Sequence, residues 1–118
     1  RGEEGPRLLE DAVRRAEAME FVANHALRLV WLAQAHLLSG NGDVATRLGL
    51  HALELARRLG ERGHEAYALR LLGELAGKGT SPDVEKSSEH YRAALTLAES
   101  LGMRPLAAAL ASSLPSPR

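Results

Sequence analysis

Between residues 73 and 80 the chain reads GELAGKGT, and Gly73, Gly77, Lys78, Gly79 and Thr80 are the residue types of a phosphate-cradling loop. Such a loop needs G-x-x-x-x-G-K-[ST]: its glycines turn successive backbone N–H groups inward, while the lysine and the hydroxyl reach the phosphates and a magnesium ion. The spacing here differs. Leu72 stands where the first glycine belongs, and Gly79 separates Lys78 from Thr80, displacing the hydroxyl by one position. A phosphate loop also follows a buried strand, whereas YALRLLGELAG is rich in Ala and Leu and has no β-branched residue. The stretch predicts the tail of a helix and the loop after it.

The remaining reactive side chains are as dispersed. His25, His36, His51, His64 and His90 show neither H-x-x-x-H nor H-E-x-x-H spacing, so a zinc site would have to be assembled across helices. His36 falls on an apolar stripe and reads as a packed, hydrogen-bonded histidine. Glu17 and Glu20, Glu61 and Glu65, and Glu85 and Glu89 lie one turn apart, as carboxylates on solvated helix faces do. There is no cysteine nucleophile, and no serine sits in a G-x-S-x-G turn. The expectation is a chain with no catalytic residues, no metal and no cofactor.

The elements that must carry these residues follow from composition and punctuation. With 118 residues and 3% aromatics, the chain has one modest core to build, from Leu and Ala. Basic and acidic residues balance at 15 each, so no net field favours nucleic acid or an anionic membrane. The absence of cysteine excludes a disulfide framework and fits a cytoplasmic setting. No apolar run approaches the ~20 residues of a membrane span, and the acidic start RGEEGPRLLED is no basic leader. A chain that begins at Arg1 and ends in SSLPSPR reads as a segment of a longer protein.

Apolar spacing and breakers predict an all-α fold of about six helices, over residues 6–20, 22–39, 43–59, 64–76, 82–101 and 105–113. The first carries Leu9, Ala12, Val13, Ala16 and Met19 on one stripe, with Pro6 at its start; the second carries Ala26, Leu29, Leu32, Ala33 and His36. Gly40-Asn41-Gly42 ends the second, and Asp43 is the expected cap of the third, whose stripe is Leu48, Ala52, Leu55, Ala56 and Leu59. Gly60 and Gly63 mark a turn. Ser81 is the expected cap of the fifth helix, with Pro82 at its first position, and Gly102 follows its end.

These helices repeat. ALELARRLGERG (52–63) aligns with ALTLAESLGMRP (94–105) at an offset of 42, and NHALRLVWLA (24–33) with HEAYALRLLG (64–73) at an offset of 40. A period of about 40 residues made of two helices predicts a solenoid of antiparallel helical hairpins forming one domain over 1–118. The pattern resembles tetratricopeptide repeats. The matching residues are Leu29, Leu32, Ala33, His36, Ala45 and Ala52 in one unit and Leu69, Leu72, Gly73, Ala76, Ser87, Tyr91 and Ala94 in the next. Ala33 and Gly73, facing Ala45 and Ser87, are small where the two helices of a hairpin cross. His36, Ala76 and Gly49 occupy positions where the family carries aromatics. ANHALRLVWLAQAHLLSGNGD, ERGHEAYALRLLGELA and SEHYRAALTLAESLGMRPLAA are also similar to the C-terminal repeat arrays of large bacterial regulators that couple a nucleotide-hydrolysing switch, and sometimes a cyclase, to a helical sensor.

The resemblance implies a right-handed superhelical arc whose concave face is lined by the first helix of each hairpin. Leu27, Val30 and Gln34 in one unit and Tyr67, Arg70 and Glu74 in the next have that placement, a surface suited to a peptide or a partner helix. Trp31, beside Leu32, is expected half-buried against the preceding helix. Two other readings stay open. Open hairpin ends would make the chain a stacking or self-associating segment, with Leu106 and Leu110 of the last helix as contacts. Arg57, Arg58, Arg62 and Arg70 would form the basic edge of an RNA-binding repeat, although Glu54, Glu61, Glu65 and Glu74 are interleaved with them.

Overall fold

The computed structural model describes residues 4–78 and 81–114, with side-chain surroundings for all of these except 4–6 and 19–23. The described residues form five helices and no strand: α1 (Glu4–Leu38), α2 (Gly42–Leu59), α3 (Arg62–Gly77), α4 (Val84–Ser100) and α5 (Arg104–Ser113). All six expected helical segments are helical, but the first two run on as the single 35-residue α1. The expected break at residue 21 has no physical cause, because the chain contains neither Gly nor Pro between Arg7 and Leu38. At 1.5 Å per residue α1 is about 52 Å long, which sets the long axis of a molecule measuring 72 × 31 × 20 Å.

Each helix packs on the next in sequence, and α1 also touches α3. The connections turn where the glycines predict. Gly40, Gly60 and Gly102 all adopt left-handed φ, of 84°, 70° and 71°, and the Gly60 N–H closes α2 by donating to the carbonyls of Ala56 and Arg57. Two caps differ from expectation. Helix α2 starts one residue earlier, behind Asn41, leaving Asp43 in the first turn, where its charge complements the helix dipole without capping. Helix α4 is capped by Asp83, whose carboxylate accepts the Lys86 N–H at 3.0 Å, while Ser81 and Pro82 precede it. The cap falls two residues later than the sequence suggested because the Asp83 carboxylate reaches the Lys86 N–H, so the helix begins at Val84 and not at Pro82.

The core is built from alanines that let backbones approach. Ala26, Ala33, Ala45, Ala52, Ala56, Ala66, Ala68, Ala94 and Ala98 are fully buried, among Leu29, Val30, Leu53, Leu69, Leu71, Leu72, Leu97, Leu106 and Leu110. On α1 the buried stripe is rotated from the expected one: Val30 replaces Leu32, which is exposed, and Leu37 rather than His36 packs against the core. On α2, Ala45, Gly49 and Leu53 are buried, Leu48 and Leu55 lie at the margin, and Leu59 is exposed. Leu106 and Leu110 belong to the core, so the last helix does not present them as an open end.

The tightest crossing lies between α3 and α4. A Cβ on Gly73 would come within 2.8 Å of the Tyr91 ring, and the buried Ser87 hydroxyl donates to the Gly73 carbonyl at 2.7 Å. Ser87→Ala should therefore cost about 1 kcal/mol, the net worth of one buried neutral hydrogen bond, measurable as a lower urea midpoint with an unchanged slope.

Candidate functional site

Spacing of three and four residues places Tyr67, Arg70 and Glu74 on one face of α3, and all three are half-buried. The Arg70 guanidinium lies over the Tyr67 ring, 5.9 Å from its centroid, and its Nε is 3.7 Å from the Glu74 carboxylate. Each contact contributes at most about 1 kcal/mol at a solvated site. Together they hold a guanidinium fork in one place beside an aromatic ring. The α4 residue Tyr91 joins them: burial pushes its phenol above the ordinary value, Glu74 pushes it the same way, and Arg70 opposes both. The group therefore bridges α3 and α4, with two rings, one cation and one anion.

The α1 residues expected beside this group divide. Leu27 and Gln34 are half-buried at the surface, whereas Val30, with 4% exposure, is part of the core and supports its neighbours from beneath. Between Leu27 and Gln34 stands Trp31, the chain's one tryptophan, 61% exposed instead of packed. The expected half-burial fails because no separate preceding helix exists for it to lean on. Leu27, Trp31, Gln34 and Leu38 follow i, i+4, i+7, i+11 spacing, so α1 carries a second stripe, apolar except at Gln34, away from its buried one.

Comparison of the chain with protein-family models, with curated proteins and with solved structures finds no match. The reading of the surface rests on its own geometry.

The chemistry suggested by other residues is not assembled. Among the described residues no three His, Cys, Asp or Glu side chains converge on a possible metal position. His36 Nδ1 lies 3.4 Å from Asn41 Nδ2 at the end of α1. Of GELAGKGT, residues 73–77 are helical and the Lys78 N–H bonds the Leu75 carbonyl at 3.3 Å, so this backbone forms a helix end; Gly79 and Thr80 lie outside the described residues, as does the side chain of Met19. Three of the four arginines of the expected basic edge are paired with interleaved acids, Arg57 with Glu65 at 3.1 Å, Arg58 with Glu54 at 2.9 Å and Arg70 with Glu74, while Arg62 is exposed with no such pair among the described residues. No helix among the described residues is long and apolar enough to cross a membrane.

His90 on α4 titrates below its ordinary value of 6.5, because burial disfavours the charged ring and the neighbouring Lys86 and Arg57 repel a proton more than Glu89 attracts it. The unfolded chain then binds a proton that the folded chain refuses, so the stability conferred by the neutral ring is complete above 6.5 and falls as pH drops from there toward the folded value. Thermal melts between about pH 7 and pH 5 should show a smaller acid-side loss in His90→Gln than in the parent.

Proposed function

We propose that the chain is a tetratricopeptide-like solenoid of antiparallel hairpins that binds a protein or peptide partner. The partner lies across the stripe Leu27, Trp31 and Gln34 of α1 and the cluster Tyr67, Arg70 and Glu74 of α3. In this reading α1 and α2 form one hairpin, α3 and α4 the next, and α5 opens a third; the contacts of each helix with its sequence neighbour, and of α1 with α3, support that arrangement. The chain catalyses nothing itself. It serves as a cytoplasmic sensor segment of a larger bacterial signalling protein, with catalysis left to other parts.

The observation that carries the reading is the 61% exposure of Trp31, with the Arg70 fork held against Tyr67 and Glu74 on α3. Tryptophan, tyrosine and arginine are the side chains that dominate binding energy at protein interfaces, and an exposed apolar stripe on a monomer signals contact with something else. As the chain's one tryptophan, Trp31 reports directly on occupancy: its emission should be that of a water-exposed indole and should shift to the blue when a partner captured from bacterial lysate is added back. Captured protein that leaves the emission unchanged would remove Trp31 from the interface.

A second reading has its own observation. From Arg7 to Ala18 the first half of α1 extends beyond the packed body, with Leu8, Leu9 and Val13 all exposed. A second copy of the chain laid along this arm would bury that stripe. Sedimentation as a concentration-dependent dimer, abolished by Leu9→Glu with Val13→Glu, would support self-association in place of a separate partner.

A further inference from the structure

On the side of α3 opposite Tyr67, Arg70 and Glu74 two clefts open, one among the end of α1, the start of α2 and the end of α3, the other between α2 and α4. One, of about 280 Å³, is lined by Leu37, Gly42, Asp43, Thr46, Leu75, Lys78 and Ser81. The other, of about 160 Å³, is lined by Leu50, Leu72, Ala76, Lys86 and His90, and again by Thr46 and Leu75. The shared residues make them one groove. Helical phase puts Leu72, Leu75 and Ala76 roughly 160° around α3 from the Tyr67 cluster, so the two surfaces are separate.

The lining of this groove is net positive. The sequence has two lysines, Lys78 and Lys86, and both line it. Neither lysine has a carboxylate within ion-pair reach among the described residues, so both ammonium groups are available to a ligand. The N-terminal residues Gly42 and Asp43 of helix α2 line the same place, and the Asn41 side chain makes no capping hydrogen bond there, leaving Asp43 as the acidic group in that first turn. Asp43 is the one carboxylate in the lining and leaves the balance positive. Beneath the lysines the floor is aliphatic, with Leu50, itself 52% exposed, at the rim.

We infer that this groove docks an acidic peptide segment, with carboxylates against Lys78 and Lys86 and one bulky aliphatic side chain seated among Leu50, Leu72 and Leu75. The charge complementarity selects the occupant, and the aliphatic floor distinguishes a peptide from a simple anion. The surface is independent of the Trp31 face, so each can fail without the other.

The test is fluorescence anisotropy with a rhodamine-labelled peptide of alternating glutamate and leucine. Saturable binding is expected, weakened by about tenfold or more in Lys78→Glu with Lys86→Glu and in Leu50→Asp, and unchanged in Tyr67→Ala with Arg70→Glu. The three substituted positions on the groove are exposed, and a melt of each variant checks that the fold is retained. Three results overturn the inference: no saturable binding to the parent chain, an equal loss in Arg58→Glu in the last turn of α2, outside the groove lining, or competition by inorganic phosphate as effective as that by unlabelled peptide. The last would make the groove an anion site alone.

Discussion

Replacing Gly73 by leucine is expected to lower the stability of the chain by roughly 2 kcal/mol. The first atom of any side chain at this position would sit 2.8 Å from Cδ1 and 2.9 Å from Cε1 of Tyr91, closer than carbon atoms approach. The ring cannot swing aside cheaply, because it is half-buried against the core and Ser87, one turn earlier on α4, is hydrogen-bonded to the Gly73 carbonyl. Overpacking of this kind costs about 3 kcal/mol, and the better helix propensity of leucine over glycine returns about 0.8 kcal/mol. Gly42→Ala is the control: nothing lies within 4 Å of a Cβ there, and its effect should stay within about 0.5 kcal/mol. Urea denaturation of Gly73→Leu alone, Tyr91→Ala alone and the pair together gives the coupling, which should be at least about 1 kcal/mol because removing the ring removes the clash. Additive effects would mean that the close crossing of α3 and α4 does not limit this position.

That crossing is legible in the sequence, because Gly73 and Ser87 align with Ala33 and Ala45 of the preceding unit, and small residues facing each other on paired helices let the two backbones meet. The turns are legible for a related reason: Gly40, Gly60 and Gly102 stand where the apolar periodicity stops, and each takes the left-handed conformation. The rotation of α1 is not. A helix in which Leu27, Leu29, Val30, Trp31, Leu32, Ala33 and Leu37 are all apolar offers more than one stripe, and only packing against α2 and α3 decides which is buried. The exposure of Trp31 departs from expectation as a consequence, since burial there presumes a break that nothing in residues 7–38 encodes. On α3, Tyr67, Arg70 and Glu74 share a face by spacing alone. The groove holding Lys78 and Lys86 is invisible in the sequence, because it forms from residues of several helices and the loop before α4, and no local pattern links them.

Substituting the surface cluster should weaken partner binding by about 2 kcal/mol or more, equivalent to roughly 30-fold in Kd. In Tyr67→Ala with Arg70→Glu, the ring under the guanidinium is lost and the fork's charge reversed, leaving Glu74 unpaired beside a second acid. Trp31→Ala removes the largest exposed apolar side chain and should have an effect of the same order. Trp31 is exposed and Tyr67 and Arg70 are only half-buried, so folding should survive, and helical circular dichroism should be unchanged. Titration of the captured partner against these variants, with sedimentation run in parallel, separates the two readings of the molecule. If a partner spans α1 and α3, both substitutions weaken it and the monomer remains a monomer. If the chain instead pairs with its own copy along the arm, Leu9→Glu with Val13→Glu abolishes the dimer while the Tyr67 and Arg70 variant leaves it intact. Leu106 and Leu110 offer no such test: with 5% and 0% exposure they are core residues, and aspartate at either would report on folding. Unaltered affinity in the Tyr67 and Arg70 variant would remove the α3 face from the interface, whatever the arm does.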